Sequence, residues 1–266
     1  MRDITVAILA KDKGYCLSFY LHCLLQQTYP KDKMILYIRT NDNSDNTQEI
    51  LEEFIQVHGS KYKHIYYDPT SIDPDLSGYE NHSWDLFRFK VMSKIRQESI
   101  DFAKRYKTDY FVADCDNFLE RGVLKRLWDI RSFGVVAPLL SMERKVRYSN
   151  MHNQSCALGY YQPNKEYHRL VSPPRKGVYE VSTVHCTYLI RNDLLDDVTY
   201  EDNSTRAEYV ILSDAFRRKN IPQLIDDRQF NGFLFIDTDS HFNMPFYEFV
   251  QQEWFEEYLD MAKNIS

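Results

Sequence analysis

Asp114 and Asp116, one residue apart where the apolar run Tyr110 to Ala113 ends, are the residues best placed to do chemistry. Alternate residues of an extended segment point the same way, so two carboxylates at this spacing can converge on one cation, directly or through a water. Oxygen ligands suit a hard divalent cation such as Mg²⁺ or Mn²⁺, and a cation that keeps open positions can also bind a diphosphate. The triplet also arises by chance in a chain with 39 acidic residues, where it serves as a solvated turn capping a helix at Leu119. Its place at the end of a strand, where ligands of open α/β sheets sit, keeps the metal reading open beside that of the turn.

The elements that must position this pair alternate in strand and helix. Thr5 to Ala10 reads as a first buried strand and Tyr15 to Gln27 as a helix, with Leu17, Tyr20, Leu21, Leu24 and Leu25 at helical spacing. Met34 to Arg39 is a second strand, the polar turn Thr40 to Asn46 leads into a helix from Thr47 to Val57, and His64 to Asp68 is a third strand. A long loop from Pro69 to Ser83 precedes a helix over Leu86 to Tyr106, and Tyr110 to Ala113 is the fourth strand. Leu119 to Ile130 reads as helical and Phe133 to Pro138 as a strand. This order is that of an α/β chain with a doubly wound parallel sheet. The remainder is less regular: a polar stretch from Ser149 to Lys176, strands at Tyr179 to Val181 and Val184 to Ile190, a helix from Arg206 to Lys219, a strand at Gln223 to Ile225, and an aromatic helix from Phe246 to Met261.

Composition narrows the partners. The 266 residues carry 33 basic and 39 acidic side chains, a net charge of −6, and a duplex-binding protein would show a basic excess instead, so no nucleic-acid partner is expected. Gly and Pro number only 8 and 9, leaving little linker. The 5 cysteines form no CxxC pair, and their odd number argues for reduced thiols. No stretch approaches the roughly 20 apolar residues that span a bilayer. The chain therefore reads as free of membrane spans and cytoplasmic.

Several ordered stretches resemble one known family. Asp45-Asn46-Thr47, Trp84 with Arg88-Phe89 and Lys94-Ile95-Arg96-Gln97, Asp114-Cys115-Asp116-Asn117-Phe118-Leu119, Val136-Ala137-Pro138, Tyr148-Ser149-Asn150 and Val184 to Ile190 are similar to the GT-A nucleotide-sugar glycosyltransferases. Among these the chain looks most like the amino-terminal domain of the procollagen galactosyltransferases. The resemblance implies one Rossmann-like GT-A domain over residues 1–266, with a nucleotide-sugar-binding half at 1–140 and an acceptor-side half at 141–266. It implies a metal-dependent, inverting transfer of a hexose, galactose or glucose, from a UDP-sugar to a hydroxyl on a glycan or protein. The family's metal-binding histidine after its last core strand is missing from Gln229-Phe230-Asn231-Gly232-Phe233, so His241, or Asp237 or Asp239, is expected to complete the coordination.

Further roles follow from side-chain chemistry set beside that resemblance. Trp84 either packs under its own loop or stacks on a uracil ring, in which case Asp85 can hold a ring nitrogen or a ribose hydroxyl. Arg88, Lys94 and Arg96 are either a solvated helix face or cationic contacts to the donor. Asn150 either belongs to a plain turn or hydrogen-bonds sugar hydroxyls, and His185, in an otherwise apolar strand, is either a core histidine or a residue lining the donor or acceptor site. Arg169, Arg175 and Lys176 flank Pro173-Pro174 as an exposed loop or a lid over the diphosphate. Inversion needs a carboxylate to deprotonate the acceptor, for which Glu208 is the candidate and Asp214 the reserve. Two rivals stand beside this reading. A non-catalytic carbohydrate-binding or interaction module would keep the fold alone. A nucleotidyltransferase would carry a glycine-rich loop after its first strand, where Ala10-Lys11-Asp12-Lys13-Gly14 offers one glycine.

Overall fold

Strands apolar on both sides need cover on both sides, and that requirement organises the molecule. In a computed structural model, described here for residues 1–72, 86–140, 149–153, 164–171 and 176–235, β1 (Ile4–Ala10), β2 (Met34–Thr40) and β4 (Asp109–Ala113) are buried along nearly their whole length. The helices α1 (Leu17–Gln26), α2 (Thr47–His58) and α4 (Val123–Ile130) cover one face, packing Leu17, Leu21, Leu51, Phe54 and Leu127 against Val6, Ile8 and Phe111. On the other face α3 (Leu86–Tyr106) and α6 (Glu208–Arg218) pack Ile100, Phe102, Leu212 and Phe216 against Ala7, Tyr110 and Val112. Truncating a fully buried member such as Leu127 or Phe216 to alanine would cost about 3 kcal/mol.

The sheet has eight strands in the order β3-β2-β1-β4-β10-β6-β11-β8, where β3 is His64–Asp68, β6 Val135–Pro138, β8 Val178–Val181, β10 Thr187–Ile190 and β11 Gln223–Asp226. It is parallel from β3 to β4, and β11 runs parallel to β6. The sheet is thus mostly parallel, as expected, with two exceptions contributed by the less regular second half: β10 lies antiparallel to both β4 and β6, and β8 antiparallel to β11. An antiparallel strand inserted between two others leaves those two parallel to each other. The carboxyl ends of β1, β4, β6 and β11 therefore share one edge.

Two elements depart from the sequence reading at that edge. Leu119 does not begin a helix: β5 (Asn117–Leu119) pairs with β12 (Gly232–Leu234), and α4 starts only at Val123. Leu119 lies four residues before Val123 and so mimics the helical spacing of Val123, Leu124 and Leu127. Gly232 sits at φ 132°, and a Cβ at that position would lie only 2.1 Å from the Phe118 carbonyl oxygen; its absence lets the β12 backbone come close enough to pair. The single strand expected over Val184 to Ile190 is broken into β9 (Thr183–Val184), which pairs with β7 (Met151–His152), and β10. The break is Cys186, at φ 62°. The polar stretch after Ser149 contains β7 and a short helix, α5 (Lys165–Val171). The expected helix from Phe246 to Met261 lies outside the described residues. No helix among the described residues is long and apolar enough to cross a membrane.

Candidate active site

Backbone pairing aims the two carboxylates. The Asp114 N–H donates to the Cys186 carbonyl at 2.9 Å, the Asn117 N–H returns to the Asp114 carbonyl at 2.9 Å, and the Phe235 N–H donates to the Asp116 carbonyl at 2.9 Å. Cys115 turns inward, 1% exposed, while the Asp114 and Asp116 side chains keep 28% and 23% exposure. That alternation is the one the spacing requires. Cys186, in its left-handed conformation, is what presents its carbonyl to Asp114.

Each acid already holds a cation. Arg96, reaching from α3 and only 4% exposed, donates from Nη2 to Asp114 Oδ1 at 2.6 Å. Lys13, in the loop after β1, donates from Nζ to Asp116 Oδ2 at 2.7 Å and to the Tyr15 hydroxyl at 3.3 Å. Burial works against the charge of both bases, but the neighbouring carboxylates outweigh it and hold both well above their ordinary pKa values. Nothing local in the sequence marks Lys13 as a site residue, because its partner lies 103 positions away.

Glu208 joins from the first turn of α6. It is 7% exposed, and its Oε1 lies 3.5 Å from Arg96 Nε, an ion pair without hydrogen-bond geometry. Burial pushes the Glu208 carboxyl above its ordinary pKa, opposed by Arg96 and reinforced by Asp114. Arg88 is half-buried on α3 and also acts on Glu208 electrostatically, whereas Lys94 points to solvent. Asp214 stands apart. It is ion-paired with Arg206 and Arg217, whose hydrogen bonds override burial and hold its carboxyl below the ordinary value.

His185 sits beside Arg96 and stacks on His152, their ring centroids 4.4 Å apart, with Tyr209 of α6 at 5.4 Å from His185. Burial first, then the Arg96 charge, pushes His185 down to about 3; burial and His185 push His152 lower still. Both rings are neutral at physiological pH. Sequence reasoning misses His152, and only its place two residues beyond Asn150 hints at it. Asn150 is fully buried, and its side chain is engaged with the chain itself: Oδ1 accepts from the Leu140 N–H and Ser149 Oγ, both at 3.0 Å, and Nδ2 donates to the Thr187 carbonyl at 3.3 Å. Arg169 is exposed on α5. Trp84, Asp85, Arg175, Asp237, Asp239 and His241 lie outside the described residues.

The structure thus brings together Asp114, Asp116, Glu208, His185, Arg96 and Lys13, with Arg88 nearby. Among the described residues no third Asp, Glu, His or Cys joins Asp114 and Asp116 in a ligand cluster. The donor set still fits a hard cation: two partly exposed carboxylates, oxygen donors both, at one strand end.

The sequence model for the glycosyltransferase family 25 N-terminal domain matches residues 2–241. Inactive glycosyltransferase 25 family member 3 of Homo sapiens is 32% identical over 70% of this chain and 31% of its own length. Procollagen galactosyltransferase 1 of Danio rerio is 33% identical over 70% and 31%, and procollagen galactosyltransferase 2 of Mus musculus 28% over 90% and 39%. The chain spans about a third of the length of these curated relatives. S. aureus TarS 1-349 in complex with UDP-GlcNAc superposes with a TM-score of 0.58 at 14% identity, over 98% of this chain and 65% of that one. GalNAc-T7 with UDP, GalNAc and Mn²⁺ gives 0.59 at 12% identity, over 97% and 50%. The fold shared with these neighbours is GT-A.

Proposed function

This chain belongs to glycosyltransferase family 25, and from that premise we propose that it transfers a hexose, galactose or glucose, from a UDP-sugar to a hydroxyl of a glycan or protein, inverting the anomeric centre. The observation that carries the reading is Arg96, which ties Asp114 to Glu208 across the edge where α/β sheets bind ligands. Asp114 and Asp116 would hold Mn²⁺ or Mg²⁺, which neutralises charge on the departing diphosphate. Glu208, its basicity raised by burial, takes the proton from the acceptor hydroxyl. Arg96 keeps that carboxylate aimed, and neutral His185 offers hydrogen bonding without adding charge. Trp84 and Asp85 remain the proposed uridine contacts, and His241 the proposed third metal ligand.

The test is a panel of UDP-sugars with Mn²⁺, assayed by sugar release without acceptor. One donor should be hydrolysed, and the rate should collapse with chelator and in Asp116→Asn. A second reading has its own support, since a human relative bears the name inactive. A non-catalytic carbohydrate-binding or interaction module would release no sugar from any donor, whatever metal is added.

A further inference from the structure

We propose that Lys13 is a diphosphate-binding residue of the donor site, stored on Asp116 until a divalent cation takes its place there. The inference rests on the glycosyl-transfer reading above and goes beyond it, because it assigns a role to a residue outside the acid pair and predicts how metal and nucleotide bind.

The charge balance at the pair motivates it. Two carboxylates face two cations, Lys13 on Asp116 and Arg96 on Asp114. A divalent cation arriving alone meets acids whose charge is already neutralised, so it gains little. Arg96 is not free to leave: it is buried in α3 and also paired with Glu208. Lys13 is differently held. Its backbone is fixed, with the N–H donating to Thr47 Oγ1 at 2.7 Å and the carbonyl accepting from the Cys16 and Leu17 N–H groups at 3.0 and 2.8 Å, which starts α1. Among the described residues its side chain is held at its tip, by Asp116 and the Tyr15 hydroxyl, and it keeps 23% exposure.

A fixed root and a four-carbon stem let the ammonium pivot without moving the loop. Its three donors suit phosphate oxygens, which have no fork geometry to match. The carboxyl ends of β1 and β4 are neighbours at one sheet edge, so a diphosphate bridged to the acid pair lies beside the Lys13 loop. Once a metal occupies Asp116, the displaced ammonium finds its replacement counter-ion in that diphosphate. Metal and nucleoside diphosphate should therefore bind together far better than either binds alone.

The experiment is calorimetry on the intact chain with Mn²⁺ alone, UDP plus Mn²⁺, and uridine plus Mn²⁺. In Lys13→Met, Mn²⁺ alone should bind roughly threefold or more tighter, because its competitor is gone. UDP with Mn²⁺ should bind roughly tenfold or more weaker, while uridine, which lacks phosphate, is unchanged. Lys13→Arg, which keeps the charge, should restore most of the UDP affinity. Unchanged UDP affinity in Lys13→Met, or equal weakening of UDP and uridine, overturns the proposal while leaving the transferase reading intact. A wild-type protein that binds neither Mn²⁺ nor UDP overturns both.

Discussion

Glu208 Oε1 faces Arg96 Nε at 3.5 Å, and both side chains are withdrawn from solvent. A carboxylate in that position is pulled two ways: burial favours its neutral form, and the guanidinium favours its charged one. Burial wins, which places its pKa above the ordinary glutamate range.

For a general base the sign is direct: the working form is deprotonated, so transfer should rise with pH through the Glu208 pKa. Glu208→Gln keeps the shape and removes the basicity. Turnover should fall roughly 10²-fold or more while UDP affinity survives, and the residual rate should lose that pH limb. Near-normal turnover would move the role elsewhere.

His241→Ala should raise the Mn²⁺ concentration needed for half-maximal activity, with partial recovery at high metal. A neutral imidazole is required for ligation, so wild-type metal affinity should also fall as pH drops through about 6.5. Unaltered metal dependence would leave Asp237, Asp239 or the diphosphate to complete the shell.

The stacked pair His152 and His185 makes a prediction about acid stability. Both folded-state values lie below the ordinary histidine value, His185 at about 3, so their stabilisation is fully present above about 6.5 and is lost as pH falls below it. The slope can reach about 1.4 kcal/mol per pH unit for each ring. Melting temperature should drop more steeply from pH 7 to 5 in the wild type than in His152→Phe. Ring carbon shifts that titrate near 6.5 would contradict the assignment.

Asp227, 8% exposed beside Asp226 at the carboxyl end of β11, shows the opposite sign. Burial and the Asp226 charge push it up to about 6, so its stabilising contribution belongs to low pH and disappears as pH rises through that value. Asp227→Asn should raise the melting temperature at pH 8 by roughly 2–6 °C, with the gap closing near pH 4. Equal shifts at both pH values would point to packing instead of charge.

Local pattern carried much of the fold. β3 and α3 have the bounds read from the sequence, since a run of β-formers after a polar turn and a long periodic stretch are decided by nearby residues. What escaped was set at long range. The antiparallel course of β10 depends on a gap between β4 and β6, and the turn at Cys186 gives no glycine to announce it. The acid pair was legible because its spacing is local. Lys13 and His152 were not, because Asp116 and His185 meet them only once the sheet has formed.

The way β10 is inserted has a consequence for anyone cutting the gene. Its residues come from the second half of the sequence, yet they sit between β4 and β6 of the first, and β11 and β8 extend the same sheet beyond β6. A fragment ending at Leu140 would keep β4 and β6 but lose the strand that joins them, leaving bare hydrogen-bonding edges. The two halves should therefore fail as separate modules and succeed as complementing partners. Co-expressed from a break after Leu140, they should assemble into one particle, whereas either alone should aggregate.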